Sequence, residues 1–429
     1  MTKIFHAEIS GTRESKYEWL ESHDISSTKW KKLNPKSEFY LFIPQNEKGL
    51  KDYQSFYKVT DIFPVNSVGI VTARDELTIH FTKDSLWNTV RNFSNLDVEL
   101  AREAYNLGKD ARDWKVELAQ KDLKDSGPGK NNVIPILYRP FDVRYTYFTG
   151  RSRGFQCMPR NEVMKNMLKE NICLISIRRS RSKKQWNYGL VSNSSVSGST
   201  AVSSLDINYC FPLFLYTQPK NKKSKYISQL MMFEPAAVYQ AKQPNIKPEL
   251  FDELKAKYKK EVTPEEIFYY IYAVLYSNIY RTKYAEFLKM DFPRVPFTAD
   301  YKIFIKLGKL GSQLADLHLL KSKQLEKPIA KFPVEGSNKV EKLNYDSLET
   351  VAQSNNLYIN KEQYFKGIPP EVWQYQIGGY QVCDKWLKDR KGRTLSLEEI
   401  TTYCKIVTAL SKTIELQKEI DDLYKLIGE

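Results

Sequence analysis

Arginine stands out in this sequence by its spacing. Between residues 139 and 184 twelve basic residues face three acids, an excess of nine in a chain whose net charge is +15. A guanidinium group is a planar fork that donates two parallel hydrogen bonds to phosphate oxygens or to the O6/N7 edge of guanine. Arg144, Arg151, Arg153, Arg160, Arg178, Arg179, Arg181, Lys183, Lys184 and Trp186 are therefore the candidate contacts to a nucleic acid. Aromatic residues interleave with them at Tyr138, Phe141, Tyr145, Tyr147, Phe148 and Phe155. Gly150 and Gly154 let a loop bend around Arg151-Ser-Arg153. Ile172–Ile177 reads as a strand running into the basic loop Arg178-Arg-Ser-Arg-Ser-Lys-Lys184, which suits entry into a groove. Most contacts of such an interface go to phosphates rather than bases. The alternative for the cluster as a whole is a solvated basic hairpin without a ligand. Arg139 and Arg144, which flank an apolar strand, have pairing with Asp142 as their alternative to a DNA contact. The polar run Ser192–Thr200 either offers donors to phosphates or is a plain flexible loop.

No catalytic or metal site is expected. The sequence has no phosphate-binding glycine-rich loop before a lysine, no GxGxxG and no HExxH. His6, His23, His80 and His318 are dispersed and read as surface or packed residues. The Asn/Asp-Pro-Pro-Tyr box, which grips the amine of a flipped base in amino-group methyltransferases, is missing. Its nearest approach, Ile368-Pro-Pro-Glu371, reads as a turn before a helix.

The elements that would position the arginines indicate an α+β fold, mixed and multi-lobed, with a strand-rich central lobe and helical connecting and C-terminal segments. Residues 1–85 are mixed, with strand-like runs at Lys3–Ile9 and Phe39–Pro44 and a glycine-containing run at Val65–Ala73. Residues 86–130 form a helical connector ending at Gly127-Pro-Gly129. Residues 131–235 hold the strand-rich basic lobe, with an exposed loop at Lys220–Lys225. Residues 236–325 are a helical spacer. In it Thr263-Pro-Glu-Glu266 supplies an N-cap, a first-turn proline and a capping-box glutamate. Further helices are expected at Tyr280–Leu288 and from Asp300 to Leu320, separated by an extended break at Asp291–Pro296. Residues 326–395 hold short strands and turns. Ser396-Leu-Glu-Glu399 caps a final helix over 396–429, whose apolar stripe packs on this chain or forms a coiled coil.

The aromatic content, 28 Tyr, 21 Phe and 7 Trp, excludes a disordered chain. The most apolar run, Ile267–Tyr276, is about half the length of a membrane span, and the N-terminus lacks the apolar core of a secretion signal. Five scattered cysteines indicate neither a disulfide framework nor a zinc knuckle. The expected setting is cytoplasmic, without a membrane.

Several strings resemble one family. Lys3-Ile-Phe-His-Ala-Glu-Ile-Ser-Gly-Thr-Arg-Glu-Ser-Lys-Tyr-Glu-Trp-Leu20 is similar to the segment after the catalytic core of type ISP restriction–modification enzymes. So are Phe39–Pro44, Thr60–Asp75, Tyr138–Arg144, Asn208–Tyr216, Pro264–Ala273 and Phe287–Pro296, which together span nearly the whole chain. The resemblance implies a C-terminal target-recognition region that reads double-stranded DNA. In the family it follows a nuclease, a helicase-type motor and an N6-adenine methyltransferase. S-adenosylmethionine is then expected on a partner methyltransferase domain and no cofactor on this chain. Either a separate methyltransferase, helicase or nuclease subunit completes the enzyme, or the chain is a truncated remnant. The opening strand Ile4–Ile9 is expected to be the last strand of the methyltransferase sheet. Two rival expectations are a methyltransferase with an unrecognised donor site and a protein-interaction scaffold docking through the Tyr-rich helix at 264–276.

Overall fold

The computed structural model describes residues 2–35, 40, 42–44, 49–182, 184–202, 206–217, 241–346 and 355–427. The chain divides into two compact units, Met1–Asp52 and Tyr53–Glu429. In the first, β1 (Ile4–His6) pairs antiparallel with β2 (Lys31–Leu33). Between them lies α1 (Arg13–Ser22), whose N-cap Thr12 accepts from the Ser15 amide at 3.2 Å. The strand expected over Lys3–Ile9 is thus three residues long, and β2 is its ladder partner among the described residues. Phe39 and Leu41 of the second expected run, and the whole of Lys220–Lys225, lie outside the described residues.

The second unit is organised on two four-stranded sheets. Their strands are β3 (Ser67–Val68), β4 (Ile79–His80), β5 (Val133–Arg139), β6 (Asp142–Tyr147), β7 (Cys173–Ile177), β8 (Leu190–Ser192), β9 (Ser195–Val196) and β10 (Asn208–Pro212). One sheet has the order β9-β5-β6-β4, with β9 parallel to β5 and the other pairs antiparallel. The other, β3-β10-β7-β8, is antiparallel throughout. Each sheet takes an edge strand from before residue 85, so the strand-rich lobe is closed by segments far upstream of residue 131.

The expected helical connector is three helices: α2 (Lys83–Asn95), α3 (Val98–Ala104) and α4 (Val116–Ser126). Their apolar faces share one core with β6, in which Phe93, Trp114 and Leu123 meet Tyr147 and Phe155. The Trp114 indole donates to the Phe155 carbonyl at 3.2 Å, and Gln120 donates to the Phe93 and Leu96 carbonyls at the C-terminal end of α2. Connector and strand lobe therefore fold as one body.

Beside the sheets lie α5 (Pro264–Tyr276), α6 (Tyr301–His318) and α7 (Leu397–Lys425). The expected capping box is present: Thr263 Oγ1 accepts from the Glu266 amide at 3.1 Å and Glu266 Oε2 from the Thr263 amide at 2.8 Å. Ser396 and Glu399 do the same for α7. Gly311 lets α6 approach α5 closely, since a Cβ there would run into the Tyr269 carbonyl oxygen. Nearly every side chain from Ile267 to Tyr276 is buried. The docking face that a scaffold role required of this helix is therefore filled by the chain's own core. The apolar stripe of α7 is also internal: Ile400, Ile406, Leu410 and Ile420 are buried and the helix packs on α6. The helix expected at Tyr280–Leu288 is two short ones, Asn278–Lys283 and Ala285–Leu288.

His318, at the end of α6, joins these helices. Its Nδ1 hydrogen-bonds the Tyr272 hydroxyl at 2.5 Å and its Nε2 the Thr413 hydroxyl at 2.9 Å. Burial, with Arg281 nearby, pushes its pKa down to about 3. The unfolded chain, titrating near 6.5, takes up a proton that the folded state excludes, so stability is lost as pH falls from about 6.5 toward 3. The melting temperature of His318→Gln should accordingly fall less steeply between pH 6.5 and 4.5 than that of the parent chain. Equal pH slopes in the two proteins would exclude this role.

Candidate nucleic-acid interface

All five residues of β7 are buried, because the strand is central in its sheet. The backbone then leaves the core, and Arg178, Arg179, Arg181 and Lys184 are exposed one after another, as the sequence indicated. Each is held lightly. Arg178 Nε lies 3.5 Å from Asp291, which also pairs with Lys58 at 2.7 Å. Arg181 lies 3.7 Å from Asp206, and Lys184 donates to Gln376 Oε1 at 3.2 Å. Arg179 makes no ion pair with the described residues. One contact per guanidinium leaves most of its five donors free for a ligand. Lys183 lies outside the described residues.

A hairpin abuts this loop. Its strands β11 (Gln376–Ile377) and β12 (Tyr380–Gln381) turn at Gly378-Gly379. Asn187 donates to the Gln376 carbonyl at 2.9 Å, and the Gly378 and Gly379 amides donate to the Asn187 and Ala201 carbonyls. Gly378 has φ +58°, and a Cβ there would collide with the Ala201 carbonyl. This fixed seat shapes the base of the basic loop.

Arg151 and Arg153 stand on a separate loop. Asp122, in the second half of α4, accepts from the Phe155 amide at 2.9 Å and the Thr149 hydroxyl at 2.8 Å. Burial raises its pKa, against those hydrogen bonds. The expected bend is present: Gly150 has φ +77°, and Gly154 leaves room for the Asp122 carboxylate. Arg151 pairs with Asp125 at 2.7 Å and Arg153 with Asp113 at 3.5 Å, both remaining more than half exposed. Arg160 is half-buried in the left-handed region, φ 54°. No hydrogen bond or ion pair among the described residues joins this group to the 178–184 loop.

Two candidates are not on the surface. Trp186 is fully buried, edge-on to Tyr188, and presents no face for stacking on a base. Arg144 is 8% exposed and pairs with Asp142 at 2.7 Å. Asp142 is itself buried and also holds Arg390 at 2.8 Å. Burial would raise its pKa, but Arg390 and Arg144 overcome that and hold it below the ordinary range. The Ser192–Thr200 run is not a flexible loop. It contains β9, and Ser192, Ser194, Ser195, Ser197 and Thr200 are buried. Small residues permit a close crossing there: a Cβ on Gly69 would meet the Ser197–Gly198 backbone.

Arg144 and Arg393 line a cleft of about 480 Å³ that sequence reasoning missed. Arg144 stacks on Phe81 at 4.0 Å and on Tyr138 at 4.2 Å, while Arg393 stacks on Phe81 at 3.6 Å. Glu399 Oε1 accepts from Arg390 at 3.1 Å and Arg393 at 3.0 Å, so the residue that caps α7 also fixes the cleft wall. At the rim Asp75 accepts from the Tyr138 hydroxyl at 2.9 Å and from Thr72. The sequence signal for this wall was the basic run Lys385–Arg393.

Two small sheets wrapped by helices, with arginines presented on the loops that leave the strands, define a mixed α+β fold. The family is fixed by a match over residues 61–419 to the type ISP C-terminal specificity domain, and the chain belongs to it. Solved structures share the fold. The cryo-EM structure of a DrdV–DNA complex superposes with a TM-score of 0.73 at 21% identity, over 97% of this chain and 43% of that one. A nuclease-deletion mutant of the type ISP restriction–modification enzyme LlaGI, with a DNA substrate mimic, gives 0.66 at 20% identity over 97% and 33%. The ATP-dependent type ISP enzyme LlaBIII, bound to DNA, gives 0.66 at 18% over 92% and 25%. The chain spans less than half the length of each of these proteins. No curated relative matches the sequence. Among the described residues no helix is long and apolar enough to cross a membrane.

Proposed function

We propose that this chain recognises double-stranded DNA as the specificity region of a bacterial restriction–modification adenine methyltransferase. The observation that carries the reading is the loop 178–184, where a buried strand delivers exposed arginines held by at most one acidic partner each, in a member of the type ISP specificity family. The neighbours of the same fold are DNA complexes, which supports the same reading. Arg151 and Arg153 add a second group of phosphate anchors. Catalysis and S-adenosylmethionine belong, in this reading, to a methyltransferase domain or subunit. This chain's own sequence has no catalytic box and no methyl-donor loop.

Binding to a labelled mixed-sequence duplex should weaken steeply with salt, because each phosphate neutralised releases counterions. Four or more contacts correspond to a slope of log affinity on log salt of about −3.6 or steeper. Fluorescence anisotropy at several salt concentrations measures this. Binding with a slope near zero, or none at low salt, would refute the assignment.

A further inference from the structure

We propose that the cleft beside β4 holds a nucleobase that has left the DNA stack. The inference rests on the DNA-reading proposal and goes beyond it, since it assigns a recessed site for one unpaired base. The cleft measures about 480 Å³, within the range of small-ligand pockets, and is lined by Asp75, Glu76, Phe81, Tyr138, Arg144 and Arg393 among others. Arg144, at 8% exposure, is too deep to reach outward into a groove, so a base edge must come to it.

The charge of the cleft selects the ligand. The guanidinium groups of Arg144, Arg390 and Arg393 are answered by the carboxylates of Asp142 and Glu399. Asp75 and Glu76 add two further carboxylates at the lining. The cleft is therefore no anion trap, and a phosphate gains no net field there. What remains is a fixed acceptor near fixed donors, with aromatic rings between them. Asp75 is held by the Tyr138 hydroxyl and by Thr72, and each of its oxygens keeps a lone pair for a further donor. The guanidinium carbons of Arg144 and Arg393 lie over the Phe81 ring, 4.0 and 3.6 Å from its centroid. His80, whose pKa burial lowers, contributes no charge at neutral pH. A neutral planar group with an exocyclic amine next to a ring acceptor fits this set. Adenine, cytosine and guanine carry that pattern; thymine has no exocyclic amine. Enzymes that take bases out of the stack read them by such edge contacts and by stacking.

The test uses the full chain and five duplexes of one parent sequence: fully paired, or with a single bulged A, C, G or T. Anisotropy at fixed salt should show at least one amine-bearing bulge bound on the order of tenfold tighter than the bulged T. Asp75→Ala and Arg393→Gln, checked for an unchanged melting transition, should each bring that ratio close to one. Equal affinity for all four bulges, or a ratio untouched by both variants, overturns the cleft assignment while leaving duplex recognition standing. Absence of binding to every duplex overturns the DNA-reading proposal and this one together. If all bulges bind alike while millimolar free adenosine or cytidine binds in an Asp75-dependent way, the cleft serves a free nucleoside and the DNA source is wrong.

Discussion

Asp142→Ala is expected to destabilise the protein by about 3–5 kcal/mol, the cost of leaving buried cations without their counter-charge. Asp142 is fully enclosed and its two oxygens hold Arg144 and Arg390 at 2.7 and 2.8 Å. Removing it takes the nearest carboxylate from two guanidinium groups that are 8% and 4% exposed. Glu399 still holds Arg390, and Asp389, 3.5 Å from Arg144, already serves Lys385. Against a total stability of roughly 5–15 kcal/mol for a typical domain, the loss is severe. Urea unfolding of the variant measures it. A change below about 1 kcal/mol would mean that the arginines relax to water and that the ion cluster does not tie the strand lobe to α7.

Replacing Arg178, Arg179 and Arg181 together by alanine should leave folding intact and cripple duplex binding. All three are exposed, and the pairs they give up, with Asp291 and Asp206, are long and solvent-screened. If each touches a phosphate, the salt slope falls by about three, and affinity near 0.1 M salt by roughly a hundredfold or more. The same measurement on Arg151→Ala/Arg153→Ala ranks the second loop. Unchanged affinity and slope in the triple variant would remove the 178–184 loop from the DNA surface.

The features legible in the sequence were local. Thr263 and Ser396 opened their helices with the glutamates three residues on, because a cap needs only its own first turn. Ile172–Ile177 ran into a basic loop as read, since a continuous apolar strand must be central and its charged continuation must exit. Ile368-Pro-Pro-Glu371 was a turn into the short helix Pro370–Trp373. What failed was long-range. Nothing near Trp186 shows which side of its loop faces the core, and nothing near Arg144 announces a counter-ion shared with Arg390. Ser192–Thr200 has the small polar composition of a flexible loop, and the same composition permits the tight crossing past Gly69 that it makes. The two-residue strands β3 and β4 have no periodicity to detect; they exist because a longer strand elsewhere offers them an edge.

The Asp142–Arg390 pair spans 248 positions of sequence. A ribosome adding about 5–20 residues each second takes roughly 12–50 s to cover that interval. Throughout it the β5–β6 hairpin is complete but its inner carboxylate has only Arg144 to answer it. Until Arg390 is made the nascent lobe holds that carboxylate half-neutralised, so the ion cluster closes only after the strands it joins have been synthesised.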